Sequence, residues 1–264
     1  MNIFLRELKA NFKSLLIWAF IVLLFAVIGF AKFSAYYGNP ELLAILNDMP
    51  APLVEAMNLN AFNLTTVTGF YGVMFTYFAL IVSIAAAMWG SDIISKEERD
   101  KTVEFSLTLP VTRGRLVTAK SLAALVNCIV LLFISWGAIL YGASKYPAES
   151  GFYSYVALSM LALFIMELIF LACGIFLGCA MKQYKRAGSI AVSLLLGTYI
   201  LSVMAGLDKN LNFLKYFTPF SYFSPGAILR TSSLDLTYVL LSAAIIAAAM
   251  VGAYLTYARR DLYI

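Results

Sequence analysis

One ionisable side chain lies deep inside an apolar segment and is the first candidate for chemistry in this chain. Glu167 stands in the stretch ALFIMELIFLACGIF, which carries no other charge. A carboxyl group surrounded by lipid is costly, so it either marks a substrate or ion pathway or fixes packing as a protonated donor to a Ser, Thr or Tyr. The sequence leaves both interpretations open, and Glu167 is the candidate for a substrate path.

The residue types that most enzymes need are missing from the sequence. His is absent, which removes imidazole ligands and the commonest general base. No G-x-x-x-x-G-K-[ST] motif occurs, because Lys101 follows Asp100, so the chain has no phosphate-binding loop of its own. Neither an activated nucleophile nor a carboxylate cluster with metal spacing is found. The sequence therefore predicts no enzyme, no metal site and no cofactor bound by this chain.

Charged residues are concentrated in the stretch DIISKEERDKTVEFSLTLPVTRGRL, residues 92–116. Ser95 followed by Glu98 matches a capping box and predicts a short helix that begins at Lys96 and ends at Pro110. Thr112 can cap the helix that follows. The stretch therefore predicts a compact helix and a sharp turn, an element that can transmit force.

The elements that must position these residues are membrane helices. The chain is 62% apolar and 12% charged, whereas soluble proteins carry about 25% charged residues. A hydrocarbon core of about 30 Å needs roughly 20 apolar residues per helix. Six segments meet this requirement, near residues 14–32, 70–91, 117–143, 155–181, 188–207 and 237–258. The sequence predicts an all-α integral membrane protein with six transmembrane helices in one domain, residues 1–264.

The basic residues predict the orientation of these spans. With a cytoplasmic N-terminus, the inner segments hold 14 of the 19 Lys and Arg residues and the outer segments hold 5. This asymmetry is the positive-inside pattern, so both termini and the loop of residues 92–118 are expected in the cytoplasm. Membrane orientation also explains the net charge of +5 without a nucleic-acid partner.

Two segments have a composition typical of the membrane interface. Residues 3–13 place Leu8 and Phe12 opposite Lys9 and Lys13, which favours an amphipathic interfacial helix over a cytoplasmic extension of the first span. Between the fifth and sixth spans, prolines break an aromatic stretch into pieces too short to cross the membrane. This pattern predicts short re-entrant or interfacial helices, with an ordinary aromatic belt as the alternative; the residues concerned are Phe217, Pro219, Phe220 and Tyr222.

Small residues recur at helical spacing in several spans. Gly174 and Gly178 form a G-x-x-x-G pair in the fourth span. Small residues allow helices to approach closely in lipid, either within one chain or between two chains. The sequence does not separate these alternatives.

The cytoplasmic loop resembles that of the ABC-2 type permeases, in which E-x-x-x-G-T-x-E runs into Pro-x-x-Arg and then a Lys. Lys101 replaces the family's glycine, and the other positions match: Glu97, Thr102, Glu104, Pro110, Arg113 and Lys120. The six-span plan, the amphipathic N-terminal segment and the TPFSYFSP stretch extend the likeness over nearly the whole chain.

The resemblance implies the type V exporter fold and a permease subunit of an ATP-binding cassette exporter in a bacterial plasma membrane. In such transporters the loop after the second span forms a coupling helix on a separate ATPase subunit, which binds ATP and Mg. A second permease chain, identical or paralogous, completes the substrate path. The residues expected at the ATPase are Glu97, Glu98, Thr102, Glu104, Pro110 and Arg113.

The substrate is suggested only by analogy. Small bacterial members of this family often export bacteriocins and amphipathic toxins, so amphipathic or antimicrobial peptides, or other hydrophobic compounds, are expected. A secondary transporter or channel without an ATPase is the alternative. A single intramembrane acid weakens it, because proton-coupled carriers usually need more than one such group.

Cysteine labelling tests the orientation. In a background without native cysteines, Ser150→Cys and Ser232→Cys should react with a membrane-impermeant thiol reagent added to intact cells, because both positions lie in outer loops. Ser106→Cys should react only after the membrane is permeabilised. Labelling of Ser106→Cys in intact cells with protection of the other two positions would reverse the topology.

Overall fold

The protein is a bundle of six long helices in the computed structural model. The structure describes residues 3–39, 41, 48, 62–99, 111–181, 183–207 and 209–260. It is 87% helical and has no strand within those ranges. The long helices are α1 (Ile3–Tyr36), α2 (Val67–Arg99), α3 (Arg113–Ala143), α4 (Phe152–Ala180), α5 (Tyr184–Leu207) and α8 (Leu236–Arg259). A 3-10 helix (Lys209–Phe217) and two short helices, α6 (Pro219–Tyr222) and α7 (Pro225–Thr231), lie between α5 and α8.

All six long helices are long and apolar enough to cross a membrane, which confirms the predicted number of spans. The predicted cores lie inside these helices except at the end of the fourth, where α4 ends at Ala180. Several helices extend beyond the apolar core. α2 continues to Arg99, for example, and polar residues occupy its last turns. Hydropathy locates the part of a helix that matches the hydrocarbon thickness and does not detect polar turns beyond it.

The core of the bundle lies between α2 and α4. In their most apolar windows, 67% of the residues of α2 and 61% of those of α4 are buried, against 11% in α8. Glycine makes this closeness possible: a Cβ added at Gly90 would lie 2.4 Å from the Leu171 carbonyl oxygen, and one at Gly174 would lie 2.5 Å from that of Ala87. Backbones in such contact leave no room for a larger side chain. The G-x-x-x-G pair of α4 therefore packs within the chain.

The N-terminal segment is not a separate interfacial helix. α1 runs without a break from Ile3, so residues 3–13 have the alternative arrangement, an extension of the first span. Glu7 and Asn11 lie on the face of α1 that is buried against the bundle. The amphipathic pattern correctly predicts a helix. Glu7, however, lies on neither the apolar nor the basic face, and its burial shows that this segment packs against the bundle.

The capping box at Ser95 is also wrong as a helix start. α2 continues through Ser95 to Arg99, and the Ser95 hydroxyl donates to the Ser91 carbonyl one turn earlier. The side chain is thus used inside a helix rather than at its first turn. The rest of the predicted short helix, residues 100–110, lies outside the described residues. The second predicted cap is confirmed, because Thr112 Oγ1 accepts a hydrogen bond from the Arg115 amide at 3.3 Å.

The segment between α5 and α8 forms short helices, and Pro219 and Pro225 stand in the first turns of α6 and α7. A proline fits there because the amide it lacks has no helical partner. Two hydroxyls tie the segment to the bundle: Tyr155 donates to the Pro225 carbonyl at 3.1 Å, and Thr218 donates to the Thr198 carbonyl at 2.7 Å. The short helices are therefore docked against α4 and α5.

The first turn of α2 is held by an acid from the loop between α3 and α4. Glu149 Oε2 accepts hydrogen bonds from the Thr68 amide, at 3.2 Å, and from the Thr68 hydroxyl. A carboxylate at this position also interacts favourably with the helix dipole. Partial burial opposes ionisation, but the hydrogen bonds from Thr68 outweigh it and hold the pKa of Glu149 below its ordinary value of 4.5.

Glu149→Gln should lower the stability of the folded protein by about 0.5–1 kcal/mol near neutral pH, because an exposed cap lies at the weak end of the range for helix caps. The pKa of Glu149 is lower in the folded state, so its contribution is present above the unfolded pKa and is lost as the pH falls through the folded pKa. Thermal unfolding in micelles at about pH 7 and at about pH 3.5 measures the loss of stability and its dependence on pH. An equal difference between Glu149→Gln and the unchanged protein at the two pH values would contradict this role.

Candidate functional site: the loop end of the bundle

Two arginines cap helix ends where α2 ends and α3 begins, which we call the loop end of the bundle. Arg113, the first residue of α3, donates to three carbonyls at the end of α8: those of Tyr257 at 3.2 Å, Ala258 at 3.3 Å and Arg260 at 2.6 Å. The last carbonyls of a helix have no partner inside it and carry partial negative charge. All three hydrogen bonds come from one nitrogen of Arg113, Nη1, whose two N–H groups are shared among the carbonyls.

Arg260 repeats this arrangement on α4. Its side chain donates to the carbonyls of Gly178, at 2.9 Å, and Cys179, at 3.3 Å, in the last turn of α4. Arg260 is buried, so its charge is compensated inside the protein rather than by water. The ends of α3, α8 and α4 are consequently joined through two guanidinium groups.

Lys120 joins α3 to α1 and α2 at the same end. Its ammonium group lies 3.4 Å from Glu7 of α1 and donates to the Ile93 carbonyl of α2 at 2.8 Å. Both side chains of the ion pair are nearly inaccessible to solvent, at 1% for Lys120 and 5% for Glu7. Removing one partner of a buried pair typically costs about 3–5 kcal/mol, because the other charge is left uncompensated. We call Glu7, Arg113, Lys120 and Arg260 the polar layer.

The predicted coupling residues are only partly placed by the structure. Glu97 and Glu98 belong to the last turns of α2, but their side chains lie outside the described residues, as do Thr102, Glu104 and Pro110 entirely. Arg113 is described, and its guanidinium binds the end of α8. The motif arginine therefore has a partner inside this chain.

Sequence reasoning missed the roles of Glu7 and Arg260. Glu7 was hidden in a segment assigned by its apolar and basic faces, although Glu7 and Asn11 are four residues apart and share one helical face. In the sequence, Arg260 is only a positive charge that flanks the last span. Its role in joining two helices becomes visible only when α8 is seen to end against α4.

Glu167 lies inside the bundle, as expected for a membrane acid. It is 0% exposed, and neither carboxyl oxygen has a hydrogen-bond partner among the described residues. The Nδ2 atom of Asn127 on α3 is likewise buried and without a partner there. A carboxyl group in this position is costly in its ionised form. The donor from a neighbouring helix that the packing interpretation requires is not observed among the described residues.

Glu167 lines neither of two cavities that open between the described helices. The first, which we call the short-helix cavity, has a volume of about 840 Å³ and is lined by Phe75, Tyr199, Phe220, Tyr222 and Arg230, among others. The second, which we call the α1–α5 groove, has a volume of about 730 Å³ and lies between α1, α2 and α5. Its lining combines Trp89 with polar residues: Asn11, Ser14, Ser91, Asp92 and Ser189.

The predicted aromatic residues divide between the cavity and the surface. Phe220 and Tyr222 line the short-helix cavity, whereas Phe217 is 68% exposed. Tyr222 stacks on Tyr238 of α8 with ring centres 5.1 Å apart. Pro219 is buried at the start of α6. The structure thus places part of this stretch against the bundle and part on its surface.

No group of three or more His, Cys, Asp or Glu side chains that could hold a metal ion occurs in the part of the chain that the structure describes. The cysteines Cys128, Cys173 and Cys179 are free thiols. The polar layer joins helix ends to one another, and it therefore supplies a mechanical connection between them.

Comparison with known families supports this description. The family described as ABC-2 family transporter protein matches residues 1–262. A search of curated proteins finds no match. Because the family match spans nearly the whole chain, the resemblance of the loop to ABC-2 permeases is confirmed. The chain belongs to the ABC-2 transporter family and is a membrane-spanning permease component of an ABC transporter.

Proposed function

We propose that this chain is the permease subunit of an exporter whose ATPase is a separate subunit that binds ATP and Mg. A second permease chain, identical or paralogous, pairs with it around the substrate path. The observation that carries this proposal is the place of Arg113. It is the first residue of α3, directly after the loop that resembles the coupling segment, and its side chain holds the end of α8.

The ATPase subunit would dock on the loop and on the end of α2. Glu97, Glu98, Thr102 and Glu104 offer carboxylates and a hydroxyl, and such groups suit a polar interface that recognises basic residues of a partner. Pro110 would end the docking segment. Arg113 differs from these residues, because its engagement with α8 makes it the anchor of the segment rather than part of the docking surface.

The loop end faces the cytoplasm in this proposal, with both termini on the same side, in a bacterial plasma membrane. This orientation places the α1–α5 groove toward the cytoplasmic half of the bundle, because Asn11 and Asp92 line it near the polar layer. Its volume is typical of small-molecule sites. An aromatic ring beside hydroxyls and an acid suits one part of an amphipathic, cationic substrate such as an antimicrobial peptide.

Co-purification tests the partner. A tagged permease should retain a soluble ATPase with a Walker A motif, encoded beside the permease gene, when both are expressed together. Glu104→Lys should reduce the retained ATPase roughly tenfold by placing like charges together at the interface. Glu41→Lys is the control, because Glu41 is an exposed acid in the loop after α1. Absence of any ATPase would favour a secondary transporter or channel, and unchanged retention with Glu104→Lys would remove Glu104 from the docking surface.

Glu167 is buried and lines neither cavity in this conformation, so its proposed interaction with a cationic substrate requires the bundle to open during transport. Two substitutions separate this role from packing. Glu167→Gln keeps the volume and the hydrogen-bonding capacity but removes the charge. It should leave the protein folded and lower the ATPase stimulation by a cationic amphipathic peptide roughly tenfold. Glu167→Leu reports on packing alone. Full stimulation with Gln would show that charge recognition at Glu167 is wrong, and misfolding only with Leu would then identify a structural hydrogen-bonding group.

A further inference from the structure

The polar layer contains a serial connection between three helices. Arg113 of α3 makes its shortest hydrogen bond, 2.6 Å, to the backbone carbonyl of Arg260, just after the end of α8. The side chain of the same Arg260 reaches the last turn of α4. The first arginine thus fixes the backbone from which the second one extends.

The chemistry of the arginine side chain suits this arrangement. All three hydrogen bonds of Arg113 come from Nη1, so its two N–H groups are shared among the three carbonyls. A lysine side chain is one bond shorter than arginine, so its ammonium does not reach the position of Nη1. Helix ends capped in this way resist fraying, because carbonyls without partners would otherwise require water.

We propose that Arg113 and Arg260 are positioning residues in a two-step linkage, through which a displacement of the loop before α3 reaches first α8 and then α4. The transport consequence rests on the proposed function, whereas the linkage itself is a property of this chain alone. α4 is the helix that the displacement reaches last. It packs backbone to backbone on α2 and carries Glu167.

A second connection joins α3 to α1 and α2 at the loop end. Lys120 binds Glu7 of α1 and the Ile93 carbonyl of α2, whereas Arg260 binds two carbonyls in the last turn of α4. These side chains therefore connect α3 to α1 and α2 through Lys120, and to α8 and α4 through Arg113 and Arg260. Changes at Arg113 should spread along α8 and α4 and leave the contacts of Glu7 in place.

Hydrogen–deuterium exchange of the full-length permease in lipid nanodiscs tests the serial order. Arg113→Gln should accelerate exchange roughly tenfold or more in the last turns of both α8 (residues 255–259) and α4 (residues 177–181), because it removes the bonds that place Arg260. Arg260→Gln should accelerate exchange only in α4, since Arg113 still holds α8. Arg115→Gln is the matched control: Arg115 is an exposed arginine in the same turn, and its loss should change neither region.

The two patterns decide the linkage. Identical patterns for Arg113→Gln and Arg260→Gln, or an effect of Arg113→Gln confined to α8, would overturn the serial order. If Arg113→Gln does not accumulate in the membrane, Arg113→Lys carries the test. It should accelerate exchange in the same two regions to a smaller extent, because the shorter lysine side chain does not reach all the carbonyls that Nη1 of Arg113 binds, and no acceleration in α4 would overturn the proposal.

The transport role requires the complex with the ATPase. Spin labels at Leu122→Cys in α3 and Gln183→Cys after α4, in a background without native cysteines, report the distance between these helices. This distance should change between the nucleotide-free and vanadate-trapped complexes, and Arg113→Gln should abolish the change while ATP hydrolysis continues. A preserved change would overturn the role of Arg113 in transmission. If no ATPase co-purifies, the proposed function fails, and the exchange patterns still decide the linkage.

Discussion

The direct backbone contact between α2 and α4 is the constraint on which the rest of the structure depends. Added Cβ atoms at Gly90, Gly174 and Gly178 would all lie within 2.7 Å of a backbone oxygen of the facing helix. In lipid no hydrophobic force draws helices together, so close packing of small residues must supply the attraction. Because α2 and α4 meet this closely, their polar ends are brought to one level, where Ile93 and Gly178 offer carbonyls to basic side chains.

At this level of the bundle, several charges are buried away from water and need partners inside the protein. Lys120 and Arg260 are buried, and a buried cation is tolerated only with an ion pair or several hydrogen bonds. Glu7 provides the ion pair for Lys120. Helix ends provide the acceptors for Arg260, because their last carbonyls have no donor within the helix. The buried cation needs acceptors and the helix end needs donors, so one set of hydrogen bonds satisfies both and connects helices that are distant in sequence.

The sequence predicted what local rules control. The bilayer sets the length of a span, so six apolar segments were sufficient to find six helices. Thr112, Pro219 and Pro225 mark helix starts because a cap or a missing amide acts within one turn. The prediction of a helix start at Ser95 is wrong because serine hydroxyls also donate to carbonyls within a helix, as the Ser95 hydroxyl does here. The bond from Arg113 to Arg260 joins residues 147 positions apart and follows from no local rule.

The place of Arg113 changes how a loop motif of this kind is interpreted. A charged residue in a segment that resembles a docking loop is naturally assigned to the partner's surface, and Glu97 and Glu104 retain that assignment here. The guanidinium of Arg113 donates to carbonyls of its own chain. If it bound a carboxylate of the partner instead, the end of α8 would lose its cap. Loss of transport on its substitution would therefore not identify a contact with the ATPase. A motif can combine residues that bind a partner with residues that connect the bound segment to the membrane helices, and only the second group is tied to a fixed position in the fold.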